Sequence, residues 1–104
     1  MNSRSKGARG EREWAAFLRE HGFNARRGQQ FAGGPDSPDV QCEDMPGFHC
    51  EVKRVERLQI YDAMRQAIRD AGEKTPYVAH RKNNCEWLVM MRAEDFLNLV
   101  RESL

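Results

Sequence analysis

The sequence predicts an α/β fold, a five-stranded mixed sheet flanked by helices in the order αβββαββα, and three observations carry that prediction. Apolar residues recur at helical spacing in three stretches, they alternate in the short segments between, and turns rich in Gly, Pro and Asn separate the two. At 104 residues the chain has the length of one ordinary domain, so chemistry and binding are expected to share a single core.

The elements follow in order. Trp14, Ala15, Leu18 and His21 recur with helical period, with Phe17 beside them, so residues from about Ser5 to His21 read as an amphipathic helix ended by Gly22. Phe23 to Arg27 reads as a short strand, and Gly28 to Ser37, with three glycines and a proline, as a long loop. Asp39 to Glu43 and Phe48 to Arg54 read as two strands of a hairpin turned at Asp44-Met45-Pro46-Gly47. Ile60 to Ala71 has apolar residues at 60, 61, 64, 67, 68 and 71, a helix that Gly72 can cap, and Thr75-Pro76 closes the connection. Tyr77 to His80 and Glu86 to Met91 read as strands around the polar turn Arg81 to Asn84. Glu94 to Glu102 reads as a closing helix with Phe96, Leu97 and Val100 inward. Trp14, Phe17, Phe23, Trp87 and Phe96 fall at core positions in these patterns.

An apolar fraction of 39% with 32% charged residues describes a thin core, near the size at which a homodimer adds useful buried surface. No apolar run approaches the roughly 20 residues of a membrane span, and the N-terminus has no apolar signal stretch, so a cytoplasmic location is expected. Cys42, Cys50 and Cys85 are odd in number and hold no CxxC pair, which favours reduced thiols over disulfides or a common zinc site. Charge is uneven. Residues 1–30 carry seven bases (Arg4, Lys6, Arg9, Arg12, Arg19, Arg26, Arg27) against three acids, whereas residues 31–51 carry five acids and no Lys or Arg. A phosphate polymer is attracted by the first segment and repelled by the second, unless bound cations neutralise the acids.

Those acids have a geometry. Alternation places Glu51 and Lys53 on one face of a strand, roughly 6–7 Å apart, with Cys50 and Val52 on the other. Val40 and Cys42 are the apolar positions of the preceding strand, which leaves Asp39, Gln41 and Glu43 facing away. If residue 41 pairs with 51, Asp39 lies opposite Lys53 and diagonal to Glu51, and the three converge. Two carboxylates held together repel, and a hard divalent cation relieves that cost while taking oxygen ligands from them and from a phosphate. Glu11 lines up with the apolar stripe of the first helix, so it faces inward and needs a basic partner or a cation to stay charged.

The run Lys6-Gly7, Glu11-Arg12-Glu13, Gly22-Phe23, Arg26-Arg27, Pro38-Asp39-Val40 and Glu51-Val52-Lys53 resembles the PD-(D/E)xK nuclease superfamily, and within it the archaeal-type Holliday junction resolvases. The stretches Tyr61-Asp62-Ala63-Met64, Gln66-Ala67, His80 to Asn84 and Glu86-Trp87 resemble a phage-encoded branch. The resemblance implies a restriction-endonuclease-like nuclease domain over residues 1–104. It implies Glu11, Asp39, Glu51 and Lys53 as the catalytic set, with Asp39, Glu51 and Glu11 toward metal. Mg²⁺ is the implied cofactor, with Mn²⁺ as a substitute, and a homodimer cutting branched DNA is the implied form. A phage- or prophage-encoded protein of a bacterial cell fits the same resemblance.

Lys6, Arg9, Arg12, Arg26, Arg27, Arg81 and Lys82 are the candidate phosphate contacts, and by resemblance Ser37 joins them. His49 shares the face of Glu51 and Lys53 and could assist a metal or contact DNA, but an exposed strand histidine without a role is the favoured reading. Gln66 sits on the helix after the ExK strand and divides evenly between a solvated face and a site contact. The competing readings are the same chemistry on nicked, flap or single-stranded DNA, and a DNA-binding module that has lost catalysis.

Overall fold

The computed structural model describes residues 3–28 and 38–104, with the side chains of the first helix described from Gly7 onward. Three helices and five strands follow in the expected order: α1 (Ser3–Glu20), β1 (Ala25–Arg27), β2 (Val40–Cys42), β3 (Phe48–Lys53), α2 (Ile60–Ala71), β4 (Thr75–His80), β5 (Leu88–Met90) and α3 (Ala93–Ser103).

On α1, Glu11, Trp14, Ala15 and Leu18 are buried at i, i+3, i+4 and i+7, one continuous stripe. Its apolar members pack with Ala25, Val40, Cys50, Val52, Tyr77 and Ala79 into the main core. The helix ends as predicted. Gly22 N–H donates to the Arg19 carbonyl and Phe23 N–H to the Leu18 carbonyl, both at 3.0 Å, a closure that requires the positive φ of 91° at Gly22. Gly10 is needed for another reason: a Cβ there would lie 2.6 Å from the Arg54 Cβ and 3.6 Å from Val52 Cγ1, so the missing side chain is what lets α1 approach the end of β3.

β3 and β4 run parallel, in register from Phe48 opposite Thr75 to Lys53 opposite His80, and α2 makes the crossover that parallel strands require. Small side chains allow the helix close to the sheet. Ala63, Ala67 and Ala71 form its buried face, and Ala63 and Ala67 meet Val78 in a second core cluster, which corrects the predicted stripe, because Ile60, Tyr61 and Ile68 are exposed. β3 thus has a helix over each face, and four of its six residues are buried.

The five strands divide into two sheets, β1-β2 and β3-β4-β5. This corrects the predicted hairpin: β2 pairs antiparallel with β1, Ala25 opposite Cys42 and Arg27 opposite Val40, and forms no ladder with β3. The turn at residues 44–47 is tight nonetheless, closed by Met45 N–H to the Cys42 carbonyl and Phe48 N–H to the Met45 carbonyl. The inward face predicted for α3 is also corrected. Phe96, Leu97 and Val100 are 55%, 49% and 41% exposed, and no residue of the helix is buried. Phe23, placed in the core by pattern, is 39% exposed because it stands just past the α1 terminus. None of the described helices is long and apolar enough to cross a membrane.

Candidate active site

β3 organises the site. Cys50 and Val52 point into the core under α1, while His49, Glu51 and Lys53 point to the side on which α2 lies. Asp39 reaches this strand from just before β2. Its N–H donates to the Cys50 carbonyl at 3.0 Å, its carbonyl accepts the Gly28 N–H at 2.8 Å, and its Oδ2 accepts the Val52 N–H at 2.8 Å. A carboxylate thus takes the N–H that a further backbone rung would have used. The predicted 41–51 pairing does not form, and Asp39 stands beside Glu51 instead of opposite Lys53.

The two carboxyls are close enough to hydrogen-bond when one is protonated. Burial first, and the charge of Glu51 second, push Asp39 up to about 7; the Val52 N–H opposes the shift and Glu11 adds to it. Glu51 is 3% exposed, and its Oε1 lies 3.1 Å from Nε2 of His49, itself 1% exposed. His49 is therefore not the exposed, idle histidine of the sequence reading. Lys53 donates from Nζ to Gln66 Oε1 at 2.9 Å, so α2 tethers the lysine beside the pair. Gln66 is a site contact.

Glu11 faces inward at 8% exposure, and its Oε2 accepts from Nε of Arg27 at 3.3 Å. Burial raises its pKa, Arg27 works against that rise, and the Glu51 charge adds to it. The basic partner that an inward glutamate requires is Arg27. Among the described residues no three His, Cys, Asp or Glu side chains gather tightly enough to cage a metal alone. A Mg²⁺-type site takes one or two carboxylates and completes its shell with water and phosphate oxygens. Two mutually repelling carboxylates at Asp39 and Glu51 fit such an ion.

The chain belongs with the nucleases of PD-(D/E)xK type. More narrowly, it belongs to the archaeal Holliday junction resolvase family, whose model matches residues 2–99. Among solved structures it is similar to Archaeoglobus fulgidus Hjc, a Holliday junction resolvase from an archaeal hyperthermophile, with 26% identity over 83% of this chain and 72% of that one and a TM-score of 0.59. No curated protein matches the sequence. The family defines a resolvase-type, DNA-binding hydrolase.

The basic candidates are dispersed around this centre. Arg27 is 41% exposed at its side chain while it holds Glu11. Arg26 bonds Gln41 Oε1 at 3.0 Å and Glu43 Oε1 at 3.4 Å, and Arg9 bonds Glu13 Oε2 at 3.2 Å, all on the surface. Arg12 and Lys82 are exposed. Arg81 is drawn elsewhere, donating to the Cys85 carbonyl at 2.8 Å and to Glu13 at 3.5 Å. There it joins Arg54, whose Nε lies 3.0 Å from the same Glu13 oxygen, in a polar clasp between α1, the end of β3 and the turn after β4. The side chain of Lys6, and Ser37 entirely, lie outside the described residues.

Proposed function

We propose that this protein is a Mg²⁺-dependent endonuclease that hydrolyses phosphodiester bonds in branched DNA, with four-way junctions as its preferred substrate. The observation that carries the reading is the half-buried Asp39 against the buried Glu51, beside the tethered Lys53. In it, Asp39 and Glu51 hold the divalent ion, and Mn²⁺ can replace Mg²⁺ because both accept carboxylate and water oxygens. When bound, the ion supplies Lewis acidity toward the phosphoryl oxygen and a more acidic water. Lys53, held by Gln66, places a fixed positive charge where negative charge builds on the phosphoryl oxygens. Glu11 accepts from Arg27 at the margin of the pair, and the exposed part of the Arg27 side chain can meet a phosphate. Arg9, Arg12, Arg26 and Lys82 supply phosphate contacts. The exposed pairs Arg9–Glu13 and Arg26–Glu43 contribute about 0–1 kcal/mol each, so they exchange for phosphate at little cost.

The test is cleavage of a synthetic four-way junction against linear duplex of equal length, with Mg²⁺ and then with chelator. The junction should be cut faster, and chelation should stop the reaction. Equal rates on both substrates would remove the branch preference, and cutting that survives chelation would remove the metal requirement.

Two symmetric cuts across a junction call for two active sites, and a homodimer is part of the reading. Its supporting feature is an apolar face around a groove of about 670 Å³, where Tyr61 and Ile68 of α2, Val89 of the edge strand β5 and Phe96 of α3 lie open. An open apolar face on an edge strand and two helices is the kind of surface a second copy of the chain can cover. Phe96→Glu should leave the fold intact, because the ring is already exposed, and convert a dimer to a monomer in light scattering. A parent protein that is itself monomeric at micromolar concentration would sink the idea.

A further inference from the structure

His49 has more to do than fill space. It is among the most buried side chains described, at 1% exposure, and its Nε2 stands 3.1 Å from Oε1 of an equally buried Glu51. The contact is built into the strand: residues two apart in an extended chain point the same way, so His49 is aligned with Glu51 by backbone geometry. β3 is clamped along its length by the in-register parallel pairing with β4, where His49 sits opposite Pro76 and Glu51 opposite Val78. Neither side chain has room to choose another partner by moving the backbone.

A glutamate has three side-chain torsions, and a carboxylate that ligates a cation through one oxygen rotates unless the other is held. We infer that His49 is a positioning residue: its Nε2–H grips Oε1 of Glu51 and presents the second carboxylate oxygen to the cation shared with Asp39. This rests on the reading of Glu51 as a cation ligand. An ionised Glu51 only accepts hydrogen bonds, so the 3.1 Å contact in the cation-bound state requires a hydrogen on Nε2, which the imidazole carries in one neutral tautomer and in its charged form. The same grip offsets part of the cost of burying the Glu51 charge before a cation arrives. Groups that orient a ligand in this way typically change metal affinity by about 10–100-fold when removed.

Isothermal titration of Mn²⁺ into the chain tests it without reference to cleavage. Four single variants are compared with the parent. Glu51→Gln should abolish binding, and if it binds as the parent does, the reading of Glu51 itself fails and His49 with it. His49→Leu, which keeps volume but has no donor, should weaken binding about 10–100-fold. His49→Gln carries an N–H at nearly the reach of Nε2 and should bind within about threefold of the parent. His49→Asn, one methylene shorter, should be as weak as His49→Leu. The Gln and Asn pair decides the matter if His49→Leu does not fold. Parent-like affinity in both His49→Leu and His49→Asn, or a loss in His49→Gln as large as in His49→Asn, overturns the assignment while leaving Glu51 in place.

Discussion

Asp39→Asn should leave a protein that is more stable than its parent above pH 7 without metal, yet slower in DNA cleavage by on the order of 10³-fold. Both effects come from one charge. In the folded chain Asp39 titrates at about 7, well above the ordinary 3.8, because its carboxyl is largely withdrawn from water and faces Glu51. The folded state therefore binds this proton more tightly than the unfolded state does. The stability that this group contributes is complete below about pH 3.8 and is lost as pH rises through about 7. Asparagine carries no charge to lose, and its side-chain oxygen can still accept the Val52 N–H. Melting curves in chelator at pH 5 and pH 8.5 check this: the parent should fall between the two, the variant should fall less, and the gap at pH 8.5 should reach about 5 °C or more. Adding Mg²⁺ should stabilise the parent by mass action and leave the variant unchanged. An identical pH slope in both proteins would contradict the charge account.

Trp14→Ala should cost about 3–5 kcal/mol and lower the melting temperature by about 15–30 °C, enough to leave the chain marginal at 37 °C. Trp14 is 4% exposed and lies 5.4 Å from Phe17, 5.0 Å from Trp87 and 6.3 Å from Tyr77 between ring centroids. Its Nε1–H donates to the Tyr77 hydroxyl at 3.3 Å, so truncation removes packing on three sides and takes one partner from a buried hydroxyl. Tyr77 is already held neutral by burial, which raises its pKa, and it cannot ionise to find solvation. Trp14→Phe should recover roughly half the loss, since ring burial returns and the N–H does not. The distinguishing measurement is urea denaturation of both variants; a cost below about 1 kcal/mol for the alanine would show that α1 is held by other contacts.

What the residues disclosed in advance depended on whether a local pattern had one physical outcome. The stripe Glu11, Trp14, Ala15, Leu18 could be buried only by turning α1 one way, and the same stripe announced that Glu11 would need a partner. Gly22 was legible for similar reasons, whereas α2 was legible as a helix but not in its face, since the alanines that let it lie close to the sheet are buried while the larger Ile60, Tyr61 and Ile68 stay exposed. The meeting of Asp39 with Glu51 was legible as chemistry but not as register, because Asp39 spends its side chain on the Val52 N–H and ends the pairing there. No periodicity encodes such a substitution of side chain for backbone. The α3 stripe was read correctly as apolar and wrongly as inward, since a stripe states that a face seeks cover and not which chain supplies it. His49 was misjudged because alternation grouped it with charged neighbours; on a parallel strand covered on both sides, a shared face says nothing about exposure. The signal that could have found it was the crossover itself, which obliges a helix to lie over that face.

The backbone of Asp39 touches both sheets, accepting from Gly28 at the end of β1 and donating to Cys50 in β3. The position of Asp39 is thereby tied to the packing of the two-stranded sheet that carries Arg26 and Arg27, whose Ala25 and Val40 lie in the main core. Loosening of that sheet would break the main core at Ala25 and Val40 and displace the aspartate and the arginines together. Amide exchange at Asp39 and Val52 should therefore follow that of β1, to which Asp39 is joined through Gly28.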